Sequence, residues 1–156
     1  MSHKSSFEQV KGTVLVSACL LGIPCRYNAQ SRPHLETIRG IDITPVPVCP
    51  EQLGGLPTPR PASYFIGGGG VEVISGTARL MNREGNDVTE HFINGAMHVC
   101  TIAGLLGVKY AIFKENSPSC GTHSIWLEDR LISGQGVAAA MLRQMGVVVV
   151  NEDGTV

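Results

Sequence analysis

The sequence predicts a single α/β domain with a mostly parallel sheet and helices on both faces. Three observations carry this reading. Short apolar runs of strand length alternate with helix-patterned stretches, the order that successive βαβ units produce. The chain has 156 residues, 43% apolar and 16% charged, enough to bury one sizeable core and too few for several. Its 19 glycines and 9 prolines gather between those runs without a period, which excludes collagen-like and low-complexity chains. Residues 1–12 read as an N-terminal extension and 13–156 as the one domain.

Each element follows in order. The segment 13–18 (TVLVSA) lies between Gly12 and the turn residues beyond Leu21 and reads as a buried strand. The loop CLLGIPCRYNAQSRP leads to a short helix around 34–39. Residues 43–48 (ITPVPV) read as a second strand, confined to an edge by two prolines. CPEQLGGLPTPRP is rich enough in glycine and proline to read as loop, and 71–74 with 78–82 suggest a hairpin around Ser75-Gly76. The clearest helix spans 88–107. Asp87 can cap it with Glu90 three positions on, and Phe92, Ala96, Val99, Ala103 and Leu106 mark one face. Gly107 closes it, and 109–114 (KYAIFK) returns as strand. After ENSPSCGTHS come a short strand near 125–127 and a turn at Ser133-Gly134. A last helix, 136–145, buries Val137, Met141 and Met145 ahead of the strand 147–150. The pattern is Rossmann-like, and in such sheets ligands bind beyond the carboxyl ends of the strands.

Charge narrows the partners. Twelve Lys and Arg against 13 Asp and Glu leave a net charge of −1. That lacks the basic excess of a protein gripping long nucleic acid, and leaves a small nucleotide or metabolite open. The N-terminal MSHKSSFEQVKG has no signal-peptide core, and no apolar run approaches the ~20 residues of a membrane span. The expectation is a cytoplasmic protein with no membrane partner.

Five cysteines, an odd number without a CxxC pair, argue for thiols used in packing, metal binding or catalysis rather than for a disulfide framework. Cys19 follows the first strand, Cys49 the second, and Cys120 lies just past 109–114, so topology places all three on one rim. Buried thiols acting as small apolar residues are the competing reading, but each stands in a polar or Gly/Pro-rich loop. Three thiolates suit zinc with one open position, or an iron–sulfur cluster with one iron lacking a protein ligand; spacing does not choose. Cys25 reads as loop packing, with a fourth ligand as its alternative, and Cys100 reads as core. Of the histidines, His34 reads as a helix-start residue, His91, His98 and His123 as surface positions, with a ligand or donor role the alternative for His123.

Other polar residues fall on the same rim. Glu51, two residues after Cys49, can exchange protons with a bound water or simply satisfy turn amides. Ser117 and Ser119 flank Pro118 and either cap that loop or donate to a substrate. Arg26, Arg60 and Lys114 sit in rim loops and can hold a phosphate through charge-assisted bonds. Gly67–Gly70 matches no phosphate loop and opens no predicted helix, and Ser133-Gly134-Gln135-Gly136 reads as a plain turn before a helix.

The motifs SACLLGIPCRYN (17–28), PVCPEQLGGLPTPRP (47–61), NDVTEHFINGA (86–96), FKENSPSCG (113–121) and GQGVAAAMLRQMGV (134–147) resemble the DUF523 family, whose characterised members are the TudS thiouracil desulfidases. The resemblance runs from about residue 13 to 150, with Asn28-Ala29 where the family commonly has Asp-Gly. It implies a [4Fe-4S] cluster on Cys19, Cys49 and Cys120, an acid/base role for Glu51, and Ser117 as a substrate-side donor. It also implies thiolated pyrimidines as substrates: 2- or 4-thiouracil, or 4-thiouridine monophosphate. The reaction is a non-redox C–S cleavage of hydrolase or lyase type, in accord with the absence of a dinucleotide fingerprint. The sulfide acceptor is open. Two other functions compete: a non-catalytic iron–sulfur or zinc-binding module, and a desulfidase of thiolated tRNA, to which the near-neutral charge is the objection.

Overall fold

The structure is a computed structural model that describes residues 7–156; half of the expected N-terminal extension, 1–6, lies outside the described residues. Four parallel strands form the first sheet in the order β2-β1-β5-β8: β1 is Gly12–Ser17, β2 Ile43–Val48, β5 Tyr110–Phe113 and β8 Val148–Asn151. β2 lies at an edge, as its prolines require. Pro45 and Pro47 are two apart, so both missing N–H groups fall on the same side of the strand.

Strand alternation splits the core in two. Leu15, Ala111, Phe113 and Val149 pack with α4 (Thr89–Leu106) and α5 (Val137–Gln144). Val14, Val16, Ile112 and Val150 pack on the other face with Val10, Leu20 and Ile38 of α1 (Leu35–Arg39). The chain is thus a single α/β domain with a parallel sheet and helices on both sides.

A second sheet, unforeseen in the sequence, orders β4-β3-β6-β7 from Arg79–Asn82, Ser63–Ile66, Ser124–Leu127 and Arg130–Ser133. β3 pairs antiparallel with β4 and parallel with β6, while β6 and β7 form a hairpin. The hairpin expected around Ser75-Gly76 does not exist. Gly70–Ser75 is a helix, α3, ended by Gly76 at φ 87°, and only 79–82 is strand. VEVI alone cannot separate a buried strand from a helical turn. Here Gly70 donates its N–H to Gln135 O at 2.7 Å and sits against Gly136 too closely for a Cβ, which seats a helix start there. The glycine run therefore does open a helix, for packing rather than for phosphate.

The long helix starts and stops as expected. Asp87 caps it by accepting from Thr89 N at 2.9 Å, though Glu90 makes no reciprocal bond among the described residues. Leu106, expected on the buried face, is 47% exposed, because the core ends at Ala103. In α5 the buried set is Val137, Ala138, Ala139, Ala140 and Leu142; Met141 is partly buried and Met145 exposed. This helix packs against both α3 and α4, and small residues permit that approach. Among the described residues no helix is long and apolar enough to cross a membrane.

Candidate active site

The carboxyl ends of β1, β2, β5 and β8 open onto one cavity of about 630 Å³. Cys19, Cys25, Cys49 and Cys120 all line it, with Ser17, Glu51, Arg60, Lys114, Glu115, Ser117, Trp126 and Glu152 among the others. The strand-end rule thus placed the three thiols correctly. Cys25 joins them because its loop folds back between Cys19 and Cys49: its backbone oxygen accepts from the Cys49 thiol at 3.7 Å. Cys100 sits on α4, away from the cavity, partly buried against the core.

Cys19 rides a single 3-10 turn, Ala18–Leu21, that continues β1 and closes on Gly22 at φ 91°. Cys49 caps a one-turn helix, α2 (Pro50–Leu53), inside the segment expected to be loop; Pro50 at the first helical position suits that start. Two glycines hold α2 against α4. A Cβ on Gly95 would overlap the Pro50 carbonyl oxygen, and one on Gly54 would overlap that of His91. His91 stays exposed, as expected, while its Nδ1 bonds to Gly54 O at 2.8 Å across this contact.

Glu51 extends from α2 into the cavity. Its Oε1 accepts from Arg60 Nε at 3.1 Å, while Oε2 has no partner among the described residues. Arg60 is buried, and three further bonds reach Cys25 O at 2.9 Å, Pro57 O at 3.1 Å and Thr58 Oγ1 at 2.9 Å. It therefore ties the Cys25 loop, α2 and the 57–60 loop together with four of its five donors.

The Cys120 loop has a different frame. Ser117 Oγ accepts from the Ser119 and Cys120 amides at 3.1 Å each, and its hydroxyl also reaches the Cys120 sulfur. Ser119 itself does not line the cavity; it is buried and its hydroxyl lacks a partner. The first amides of α5 are satisfied by this loop, Val137 N donating to Pro118 O at 2.9 Å and Ala139 N to Ser119 O at 3.1 Å. A Cβ on Gly136 would come within 2.8 Å of the Cys120 nitrogen. The Gly-Gln-Gly turn is thus a seat for the cysteine loop.

Glu115, not singled out from the sequence, holds the same loop. Its Oε1 accepts the amides of Thr122, His123 and Ser124 at 2.7, 2.8 and 3.0 Å, and Oε2 accepts Asn151 Nδ2 at 3.0 Å. Burial pushes its carboxyl up, but these donors outweigh burial and hold it well below the usual carboxylate range. Lys114, expected to be free, pairs with Glu152 at 3.0 Å and donates to Glu115 O at 2.9 Å. Arg26 keeps a buried Nη1 with no partner among the described residues, a donor available to a ligand. Glu115 and Glu152 stand just after β5 and β8, so the rule that located the cysteines also locates them.

Cys25, Cys49 and Cys120 are held neutral. Cys25 is raised to about 11, first by its contact with the Cys19 thiol and further by burial. Cys49 is raised by its Cys25 contact and by burial. Cys120 is raised by burial, opposed by hydrogen bonds from Ser17 and Ser117. Soft donors this crowded become thiolates once a cation stands among them.

The chain is similar to the "Uncharacterized protein YbbK" of Bacillus subtilis (strain 168), with 43% identity over 145 residues covering 90% of this chain and 95% of that one. A solved structure named [4Fe-4S]-dependent thiouracil desulfidase TudS superposes with a TM-score of 0.76 at 35% identity, over 91% of each chain. The sequence profile of the 2-thiouracil desulfurase family matches residues 14–154. The cysteine rim, its acid-bearing helix and the SPSC loop all fall inside that span, and the chain belongs to the 2-thiouracil desulfurase family.

Proposed function

We propose that the protein is a [4Fe-4S]-dependent desulfidase of small thiolated pyrimidines, turning 2- or 4-thiouracil, or 4-thiouridine monophosphate, into the oxo-pyrimidine and sulfide. The observation that carries this reading is the meeting of Cys19, Cys49 and Cys120, from three separate strand ends, around a cavity that also holds a carboxylate and a serine hydroxyl. These three thiols are the ligands assigned to the cluster, with Cys25 beside them. Among the described residues no three His, Cys, Asp or Glu side chains stand close enough to hold a single metal ion. A cubic cluster spreads its ligands over separate corners and suits thiols distributed around a cavity. When bound, the cluster supplies an iron without a protein ligand, a Lewis acid for a soft thiocarbonyl sulfur.

The chain's own residues do the rest. Glu51 takes the proton of the water that adds to the ring carbon through its unpartnered Oε2, while Arg60 fixes the other oxygen. Ser117 is the hydroxyl proposed to donate to the substrate, from the loop that carries Cys120. Arg26, with its unpartnered buried Nη1, and Arg32 and His34 beside it on the wall are the donors proposed for the phosphate of a nucleotide. Water and thione become ketone and hydrogen sulfide, so no electrons enter or leave.

The test is anaerobic reconstitution with iron and sulfide beside the untreated apoprotein, following the thiocarbonyl absorbance of 4-thiouridine monophosphate and thiouracil. Loss of that band only with the reconstituted protein, with sulfide appearing, is the expected result. An intact brown cluster that leaves both thiones untouched overturns the reading in favour of a non-catalytic cluster protein.

A further inference from the structure

The wall opposite the thiol loops comes from the second sheet, and it carries a feature that the desulfuration chemistry does not use. Ala62, Ser63, Arg83 and Trp126 reach the cavity from this side. In β6, Ile125 is fully buried in the core, so strand alternation turns Trp126 to the opposite face. The indole is 44% exposed, and its N–H has no partner among the described residues. Leu131, its cross-strand partner on β7, stands on the same face. Arg83 beside it is taken up elsewhere: its guanidinium lies 4.5 Å from the Tyr64 ring centroid and pairs with Asp129 at 3.1 Å. Trp126 and Tyr27 carry the only large aromatic faces on the described lining, and Trp126 is the one set on a strand rather than a loop.

We infer that Trp126 is the stacking platform for the substrate ring and makes this site select flat aromatic thiones. This rests on the thiopyrimidine reading above. A pyrimidine offers two apolar faces and a polar edge. The cluster, Glu51 and Ser117 address the edge, and a rigid indole addresses a face at little conformational cost. Stacking is blind to which ring carbon carries the sulfur, so it would let 2- and 4-thio substrates share one site.

Trp126 is the only tryptophan in the chain, so its emission reports directly on this wall. Holoprotein is titrated with uracil, which is not turned over, and with dihydrouracil, which keeps the polar edge but loses the flat ring, exciting beyond uracil's absorption. Uracil is expected to quench Trp126 emission saturably, and dihydrouracil to bind at least about tenfold more weakly. In turnover, Trp126→Ala should raise KM for thiouracil by about tenfold or more with a much smaller change in kcat, and Trp126→Tyr should recover most of that loss. Emission that ignores uracil at concentrations inhibiting turnover overturns the inference, as does a Trp126→Ala enzyme with wild-type KM. Saturable quenching by uracil in a holoprotein that desulfurates no thione would sink the proposed activity while leaving the ring platform standing.

Discussion

Cys49 and Cys120 face the same cavity from two shoulders that are built differently. Cys49 and Glu51 belong to a one-turn helix seated on α4 by backbone-to-backbone approach at Gly54 and Gly95. Cys120 and Ser117 belong to a loop without regular structure. That loop is held by the Glu115 carboxylate and by the first amides of α5. A helical shoulder satisfies its own backbone groups and needs only a close fit. A loop shoulder must find a partner for each buried amide, and here one carboxylate oxygen takes three. One shoulder is therefore sensitive to volume and the other to charge.

Removing the thiols gives the largest effect and treats the shoulders alike. Cys49→Ser and Cys120→Ser, with Cys19→Ser, should each lose the cluster and all activity, measured as iron content and visible absorbance after reconstitution. Cys25→Ser and Cys100→Ser should retain both. Loss of iron in Cys25→Ser would transfer a ligand role to the thiol lying between Cys19 and Cys49.

The acid on the helical shoulder comes next. Glu51→Gln should keep the iron and lose about 10²–10⁴-fold in kcat, the range for a positioned proton-transfer group. Full activity in that variant would remove Glu51 from the reaction.

Volume then separates the shoulders. Gly95→Ala should destabilise by about 2–4 kcal/mol, because α2 must lift from α4 to clear the new methyl. Gly136→Ala should cost a similar amount by pressing on the Cys120 loop. Urea unfolding of the apoproteins measures both, and equal stability to wild type would show that either contact can relax.

The smallest effect isolates charge. Glu115 titrates below the ordinary glutamate value of 4.5 when folded, so its stabilising contribution is complete above that value and fades as pH falls toward the lower folded pKa. Glu115→Gln should therefore be less stable by about 2 kcal/mol near neutrality. Its deficit should shrink on acidification, whereas Gly95→Ala should show a deficit that is flat with pH. Urea midpoints across the acid range decide, and a Glu115→Gln deficit independent of pH would refute the charge argument.

Much of this was legible in the amino-acid order because it depends on local pattern. Short apolar runs such as the one in TVLVSA and the YAIF of KYAIFK, bounded by turn residues, read as buried strands, and the spacing through α4 admits one buried face. The βαβ order then forces Cys19, Cys49 and the 114–124 loop to one rim, so the meeting of these three thiols at one cavity was readable without coordinates.

Other features depend on approach between segments far apart in sequence. Only the folded chain brings Arg60 across to Glu51 and Cys25 O, committing most of its donors to the protein's own groups. Only the seat between Gly70 and Gly136 makes VEVI a helix, and only the folded chain brings Trp126 to the cavity that the thiols line. Glu115 looks like any loop carboxylate until three amides converge on it. Hydrophobic period acts over neighbouring residues and is written in the chain. Hydrogen-bond partners and steric seats are decided by distance in space, which tertiary packing alone sets.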